Sequence, residues 1–229
     1  MTQANLRYRL LVFDWDGTLA DSAAIIVEAL QRSCADLDLP IPDDAAARYV
    51  IGLGLDDALR HIAPTLARQD YPRLSARYRA HYLHRDPEIP LFDGAPAMLE
   101  ALAARGHLLA VATGKSRRGL DRALGQAGVG QHFVATRCAD EGRPKPHPDM
   151  LLHLMDRLGA MPEETLMIGD TTHDLLLAAN AGIDAVGVAY GAHPTGSLLE
   201  ERSLAIVHSV RELSDWLAAH ASVVEMLRS

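Results

Sequence analysis

Two aspartates stand one residue apart at the end of an apolar run in VFDWDGTLADS, residues 12–22. Aspartate is a poor strand former, and two neighbouring carboxylates repel one another. A sequence selected for structure alone has no use for such a pair at a strand end. Acid–base work, nucleophilic attack and cation binding do. Three later stretches carry matching chemistry. VATGKS carries a hydroxyl, a glycine and a lysine at Thr113, Gly114 and Lys115; RPKPHPD sets Lys145 among three prolines; GDTTHD holds Asp170 and Asp174. Of 22 basic residues only Lys115 and Lys145 are lysines. An ammonium is a compact point charge where a guanidinium is a planar fork, so a lysine kept in an arginine-rich chain suits a task that needs the point charge. Lys115 remains open between such a task and an ordinary surface position.

These residues need a scaffold that brings four distant loops together. Short apolar runs alternate with helical patterns along most of the chain. Strands are expected at Tyr8–Phe13, His107–Thr113, around Phe133, at Thr165–Gly169, Asp184–Ala189 and Leu204–Val207. Helices are expected at Ala95–Arg105, Ser116–Ala127, Pro148–Leu158, His173–Ala181 and Val210–Ala219, several of them closed by glycine. Continuous apolar strands alternating with helices imply an α/β fold, a parallel sheet covered on both faces. In such sheets ligands bind at the carboxyl ends of the strands. Asp14, Asp16, Thr113 and Asp170 all follow expected strands, with Lys145 in a neighbouring loop.

The segment 20–90 breaks the alternation. It reads as helices at Ser22–Leu37, Asp43–Val50, Leu55–Ile62 and Arg68–Arg85 with no strand between them. That is too long for a connecting loop. The expected organisation is a core of residues 1–19 and 91–229 with a small all-α domain, 20–90, inserted after strand 1. Hinges are expected near 18–21 and 87–94, and the tail after His220 as a short or frayed helix.

Composition narrows the classes. Hydrophobic residues make up 48% of the 229 and charged residues 23%, as in ordinary globular proteins. A formal charge of −8 argues against nucleic acid as the main partner. Cys34 and Cys138 form neither a disulfide framework nor a metal-binding pair and read as free thiols of a reducing compartment. YRLLVF is too short for the core of a signal peptide, and no window approaches the roughly 18 apolar residues of a membrane span. The expected location is cytoplasmic, without membrane association.

DWDGT at 14–18, the threonine of VATGKS, the lysine of RPKPHPD and GDTTHD at 169–174 resemble, in order, spacing and strand placement, the four motifs of the haloacid dehalogenase (HAD) superfamily, in its phosphoglycolate phosphatase-like branch. The resemblance covers nearly the whole chain. It implies a Rossmann-like core with a helical cap and a phosphatase of small phosphate monoesters working through an aspartyl-phosphate. Asp14 would be the nucleophile. Asp16 would be the acid and base, aided by a pKa raised through repulsion. Lys145 would hold nucleophile and phosphate, with Thr113 and Gly114 donating to phosphate oxygens. Mg²⁺ would lie on Asp14, the backbone carbonyl of Asp16 and Asp170, with Asp174 a ligand or just behind one. Gly52 and Gly54, in the loop YVIGLGLDD, would face the site and bear on specificity. The substrate would be a small phosphate monoester, 2-phosphoglycolate among the candidates, and the protein a monomer or homodimer.

Other activities stay open. A phosphosugar mutase of the β-phosphoglucomutase kind shares both aspartates, and pyrophosphate and nucleotide hydrolases share the motifs. A binding protein that lost turnover is the reading from another class. A phosphonatase is disfavoured, because its cap lysine has no counterpart in 20–90. So is a dehalogenase, which lacks the second aspartate.

Overall fold

The computed structural model describes residues 6–221. Six strands form one parallel sheet in the order β3-β2-β1-β4-β5-β6. They are β1 (Leu10–Phe13), β2 (Leu108–Thr113), β3 (Phe133–Cys138), β4 (Thr165–Gly169), β5 (Asp184–Val188) and β6 (Ala205–Val207). β1 lies at the centre, and the direction of strand addition reverses between it and β4. A parallel sheet opens a crevice at such a point, on its carboxyl edge.

Side chains of β1 alternate between two cores, as the two-residue period of a strand requires. Leu11 and Phe13 pack with α5 (Ala95–Ala104), α6 (Arg117–Ala127) and α10 (Val210–His220) on one face. Leu10 and Val12 pack with α7 (Asp149–Leu158) and α8 (Thr172–Ala181) on the other. All four are fully buried, which explains why the run is apolar throughout and not alternating.

Helices α1 (Ala23–Ala35), α2 (Asp44–Tyr49), α3 (Leu55–Ile62) and α4 (Tyr71–Arg85) gather round a separate hydrophobic cluster that includes Ile26, Leu30, Leu59 and Leu74. The two crossings into this helical layer lie side by side. Phe92 N donates to Leu19 O at 2.9 Å and Asp21 N to Pro90 O at 3.0 Å.

The strands lie where the sequence places them, trimmed by one or two residues at some ends. Tyr8 and His107 fall just outside the sheet, where the His107 ring nitrogen Nδ1 hydrogen-bonds the Tyr8 carbonyl at 2.8 Å. A short helix α9 (Thr195–Leu199) was not foreseen; its five residues are too few to show a period. The tail beyond Ala221 lies outside the described residues.

Candidate active site

β1 and β4 run in register, Phe13 beside Ile168, so the residues that follow them emerge together. Asp14 N donates to Ile168 O at 2.9 Å, and the carboxylates of Asp14, Asp170 and Asp174 each offer an oxygen within 4.8 Å of the others. All three are fully buried. Gly17 has φ +80°, and any side chain there would run into the Asp170 carboxylate. The glycine of DWDGT thus serves both the sharp exit from the strand and the approach of motif four.

Lys145 threads its ammonium into this cluster. Its Nζ donates to Asp174 Oδ1 at 2.6 Å and lies 2.9 Å from Asp14 Oδ1. Asp174 is further tied by the hydroxyl and N–H of Thr171, at 2.6 and 3.1 Å to Oδ2. Asp170 accepts from the Thr18 hydroxyl and from Ala192 N, both at 2.7 Å. Asp14 differs: among the described residues Lys145 is the one partner of its Oδ1, and its buried Oδ2 has none.

Electrostatics follow from this inventory. Burial, foremost, pushes the Asp14 carboxyl up to about 7; Lys145 opposes this, and the charges of Asp174 and Asp16 add to it. Asp170 is likewise held well above the carboxylate range, by burial first and then by Asp14 and Asp174. Burial pulls the Lys145 ammonium down, but Asp14 and Asp174 more than reverse it. The sequence reading looked to repulsion between Asp14 and Asp16 to raise one of the two carboxyls, and at Asp14 the charge of Asp16 is a smaller contribution. The larger cause is loss of water around Asp14.

Three buried carboxylates against one buried ammonium leave negative charge without compensation. The donor set is all oxygen and hard, and Asp14 Oδ2 is uncommitted, so the residues fit a small divalent cation such as Mg²⁺. Asp174, spent on Lys145 and Thr171, sits better behind the ligands than among them.

Asp16 stands apart from that cluster. Its Oδ1 accepts from the Ser22 hydroxyl at 2.7 Å and from Lys115 Nζ at 2.9 Å. Thr113 is fully buried at the end of β2, its hydroxyl oxygen accepting from Lys115 N at 3.2 Å. Gly114 touches the helical layer: a Cβ there would lie 2.5 Å from the carbonyls of both Gly52 and Leu53. Gly52, at φ +90°, approaches Thr171 and Asp14, whereas Gly54 packs near Ala139 and Pro144. The structure therefore brings Asp14, Asp16, Thr113, Gly114, Lys145, Asp170, Asp174 and Gly52 to one edge of the sheet, and leaves Gly54 at its margin.

Several residues there escape the sequence reading. Ser22 looks like a helix cap, yet its hydroxyl makes no capping bond to α1 and goes to Asp16 instead. His193 lies in the loop after β5, a fifth loop at the same edge. Its Nε2 and that of His173 both reach the carbonyl of Tyr49, at 3.0 and 2.7 Å. A carbonyl only accepts, so both rings carry their proton on Nε2. Burial holds both histidines below their ordinary pKa and so keeps them neutral. The loop's place at the carboxyl edge was the available signal for His193. Nothing in the sequence flags Tyr82, whose hydroxyl accepts from Lys115 Nζ at 2.8 Å.

A family model described as haloacid dehalogenase-like hydrolase matches residues 11–188, from the first motif through the fifth strand. The chain belongs to the haloacid dehalogenase-like hydrolases. It is 39% identical over 219 residues to a protein named probable phosphatase IndB of Dickeya dadantii, covering 93% of this chain and 94% of that one. It is 36% identical to a phosphoglycolate phosphatase of Rhodospirillum rubrum, over 91% of this chain and 90% of that one. The crystal structure of a hydrolase from Pseudomonas syringae shares the fold, with a TM-score of 0.86 at 24% identity over 94% of this chain and the whole of the other. Family and relatives together make this chain a phosphohydrolase.

Proposed function

We propose that the protein is a Mg²⁺-dependent phosphatase of phosphate monoesters acting through an aspartyl-phosphate, with Asp14 as nucleophile. The observation that carries this reading is the state of Asp14: buried, with Oδ1 against a fully buried lysine and Oδ2 without a partner. A structural aspartate would be satisfied; a nucleophile must keep an oxygen free.

An Asp14 oxygen attacks phosphorus and the bond to the ester oxygen breaks. That oxygen leaves with a proton from Asp16. A water oxygen then attacks the phosphorus of the aspartyl-phosphate, giving its proton back to Asp16, and the Asp14–phosphorus bond breaks. Lys145 keeps Asp14 in line and balances the charge of the entering phosphoryl group, while Thr113 and Gly114 donate to its oxygens. Mg²⁺, on Asp14, Asp170 and the Asp16 carbonyl, would supply charge neutralisation at the phosphoryl oxygens. Residues 20–90 act as a cap over the core 1–19 and 91–229, excluding water from the intermediate. The paired backbone at 19–21 and 90–92 would be its hinge.

For the substrate, 2-phosphoglycolate is the first candidate, supported by the Rhodospirillum relative. One observation favours larger esters, nucleotides among them. A cavity of about 880 Å³ lies between the helical layer and the loop after β2, lined by Asp16, Leu30, Tyr78, Arg79, Lys115 and Arg118 among others. That lies towards the top of the ~300–1,000 Å³ range of pockets for drug-sized ligands and far exceeds what a two-carbon acid fills.

The test is phosphate release from a panel holding 2-phosphoglycolate, sugar phosphates, nucleoside monophosphates and pyrophosphate, with Mg²⁺ and with excess chelator. Chelator-sensitive release, with one ester far ahead in kcat/KM, is expected. A rearranged sugar phosphate without free phosphate would point to a mutase. No turnover of any member by folded protein would point to a binding role.

A further inference from the structure

Asp16 is asymmetrically held. Its Oδ1 takes two hydrogen bonds, from Ser22 Oγ at 2.7 Å and from Lys115 Nζ at 2.9 Å, whereas no hydrogen bond of the described residues engages Oδ2. Both donors connect to the helical layer. Ser22 is the residue at the head of α1, and it forgoes the capping bond that ordinarily stabilises a helix start. Lys115 rises from the loop after β2 and donates at the same time to the hydroxyl of Tyr82, in the last turns of α4, at 2.8 Å. Asp16, Lys115 and Tyr82 all line the large cavity. Lys115 and Asp16 are each only 10% exposed at the side chain, so their contact is shielded from bulk water and from salt. Next to them Arg122 of α6 reaches the nearly buried carboxylate of Asp86, just beyond α4. The C-terminal part of α4 is thus fastened to the core at two points, one of which ends on Asp16.

We propose that Lys115 is a positioning residue for Asp16, set in place by Tyr82 when the helical layer is docked. Clamping Oδ1 fixes the carboxyl plane and presents Oδ2 to the cavity, where the leaving oxygen of the ester would sit. With α4 withdrawn, Lys115 loses its second anchor, and the orientation of Asp16 loosens. Proton delivery is thereby tied to closure. The inference rests on the role proposed for Asp16 and adds the groups that control it.

Leaving-group dependence separates this from a merely structural role. When the bond from phosphorus to a 4-nitrophenyl ester oxygen breaks, the electron pair leaves as a stable phenolate and little is gained from a proton. The alkoxide of an alkyl ester needs the proton that Asp16 supplies. The experiment measures kcat/KM for 4-nitrophenyl phosphate and for the best alkyl monoester of the panel, in wild type, Asp16→Asn, Lys115→Met, Lys115→Arg and Tyr82→Phe, with thermal melts to confirm folding. Asp16→Asn should lower the alkyl-to-aryl ratio by about a hundredfold or more. Lys115→Met should lower it at least about tenfold and Tyr82→Phe a fewfold, and Lys115→Arg should recover part of the Lys115→Met loss because it keeps the charge. An unchanged ratio in folded Lys115→Met and Tyr82→Phe, beside a collapsed ratio in Asp16→Asn, overturns the positioning role and leaves the acid intact. An unchanged ratio in Asp16→Asn removes both.

Discussion

At the scale of single residues, the site is a problem of unpaired charge. Asp14 is the one member of the carboxylate cluster with an oxygen, Oδ2, that has no partner, and Lys145 keeps Asp174 when Asp14 is replaced with asparagine, so the change removes reactivity and little native bonding. Asp14→Asn should lose at least about a thousandfold in turnover with an undiminished thermal midpoint, checked by phosphate release and calorimetry on the same preparation. Lys145→Met is the converse. It strands Asp14 and Asp174 in a buried place, and breaking such a pair costs about 3–5 kcal/mol; denaturant unfolding should show a loss of that order along with the loss of activity. The residues of these predictions were legible in the sequence, because aspartates at strand ends and a lysine in an arginine-rich chain are improbable without a task. Ser22, His193 and Tyr82 were not. Their roles exist only through partners that the fold brings near, and each type has an ordinary reading: a cap, a loop histidine, a helix tyrosine.

At the scale of elements, the contact between the loop after β2 and the loop after α2 decides how the helical layer sits. The gap between Gly114 and the carbonyls of Gly52 and Leu53 has no room for a methyl group. Gly114→Ala must push the two loops apart, and a misplacement of about 1 Å near reacting groups can cost up to about a hundredfold. A fall in kcat/KM of about ten- to a hundredfold with near-normal stability is expected, and steady-state kinetics beside a thermal melt will read it. Bulkier residues at Gly52 should change the ranking of substrates, since that position approaches Thr171 and Asp14; at Gly54, which packs on Ala139 and Pro144, the effect should be smaller. An identical ranking of kcat/KM across the panel in a Gly52 variant would show that the loop takes no part in selection. The helices and strands themselves were readable because their apolar periods are strong. The pairing of Gly114 with Gly52 was not, since no local pattern encodes a contact made across 62 positions of sequence.

At the scale of the whole molecule, the buried cluster links folding to pH and to metal. In metal-free protein the Asp14 carboxyl titrates near 7, against 3.8 for the unperturbed group. The native state therefore holds a proton that the unfolded chain has released. The contribution of Asp14 to stability is fully present below about 4 and is lost as pH rises through about 7. His173 and His193, held down by burial, act in the opposite sense: their contribution is present at neutral pH and declines as pH falls below about 6.5. Comparison with Asp14→Asn isolates the first effect. Under chelator, the wild-type melting midpoint should fall more steeply between about pH 4 and 7 than that of the variant, a window of about three units set by the shift itself. Mg²⁺ should flatten the decline, because binding to the native state alone adds stability. Equal slopes for the two proteins would show that Asp14 is not the group responsible.

The chain carries only two lysines, and both stand in the site, Lys145 with no exposed side-chain surface and Lys115 with 10%. Amine-directed reagents, which on most proteins scatter over the surface, are here confined to the α-amino group and to this one place. The rate at which Lys115 is acylated becomes a clock for the opening of the helical layer. Isotope-labelled methyl groups added to the reactive amines of the folded protein would give a nearly silent spectrum, in which a line besides that of the α-amino group reports on the site.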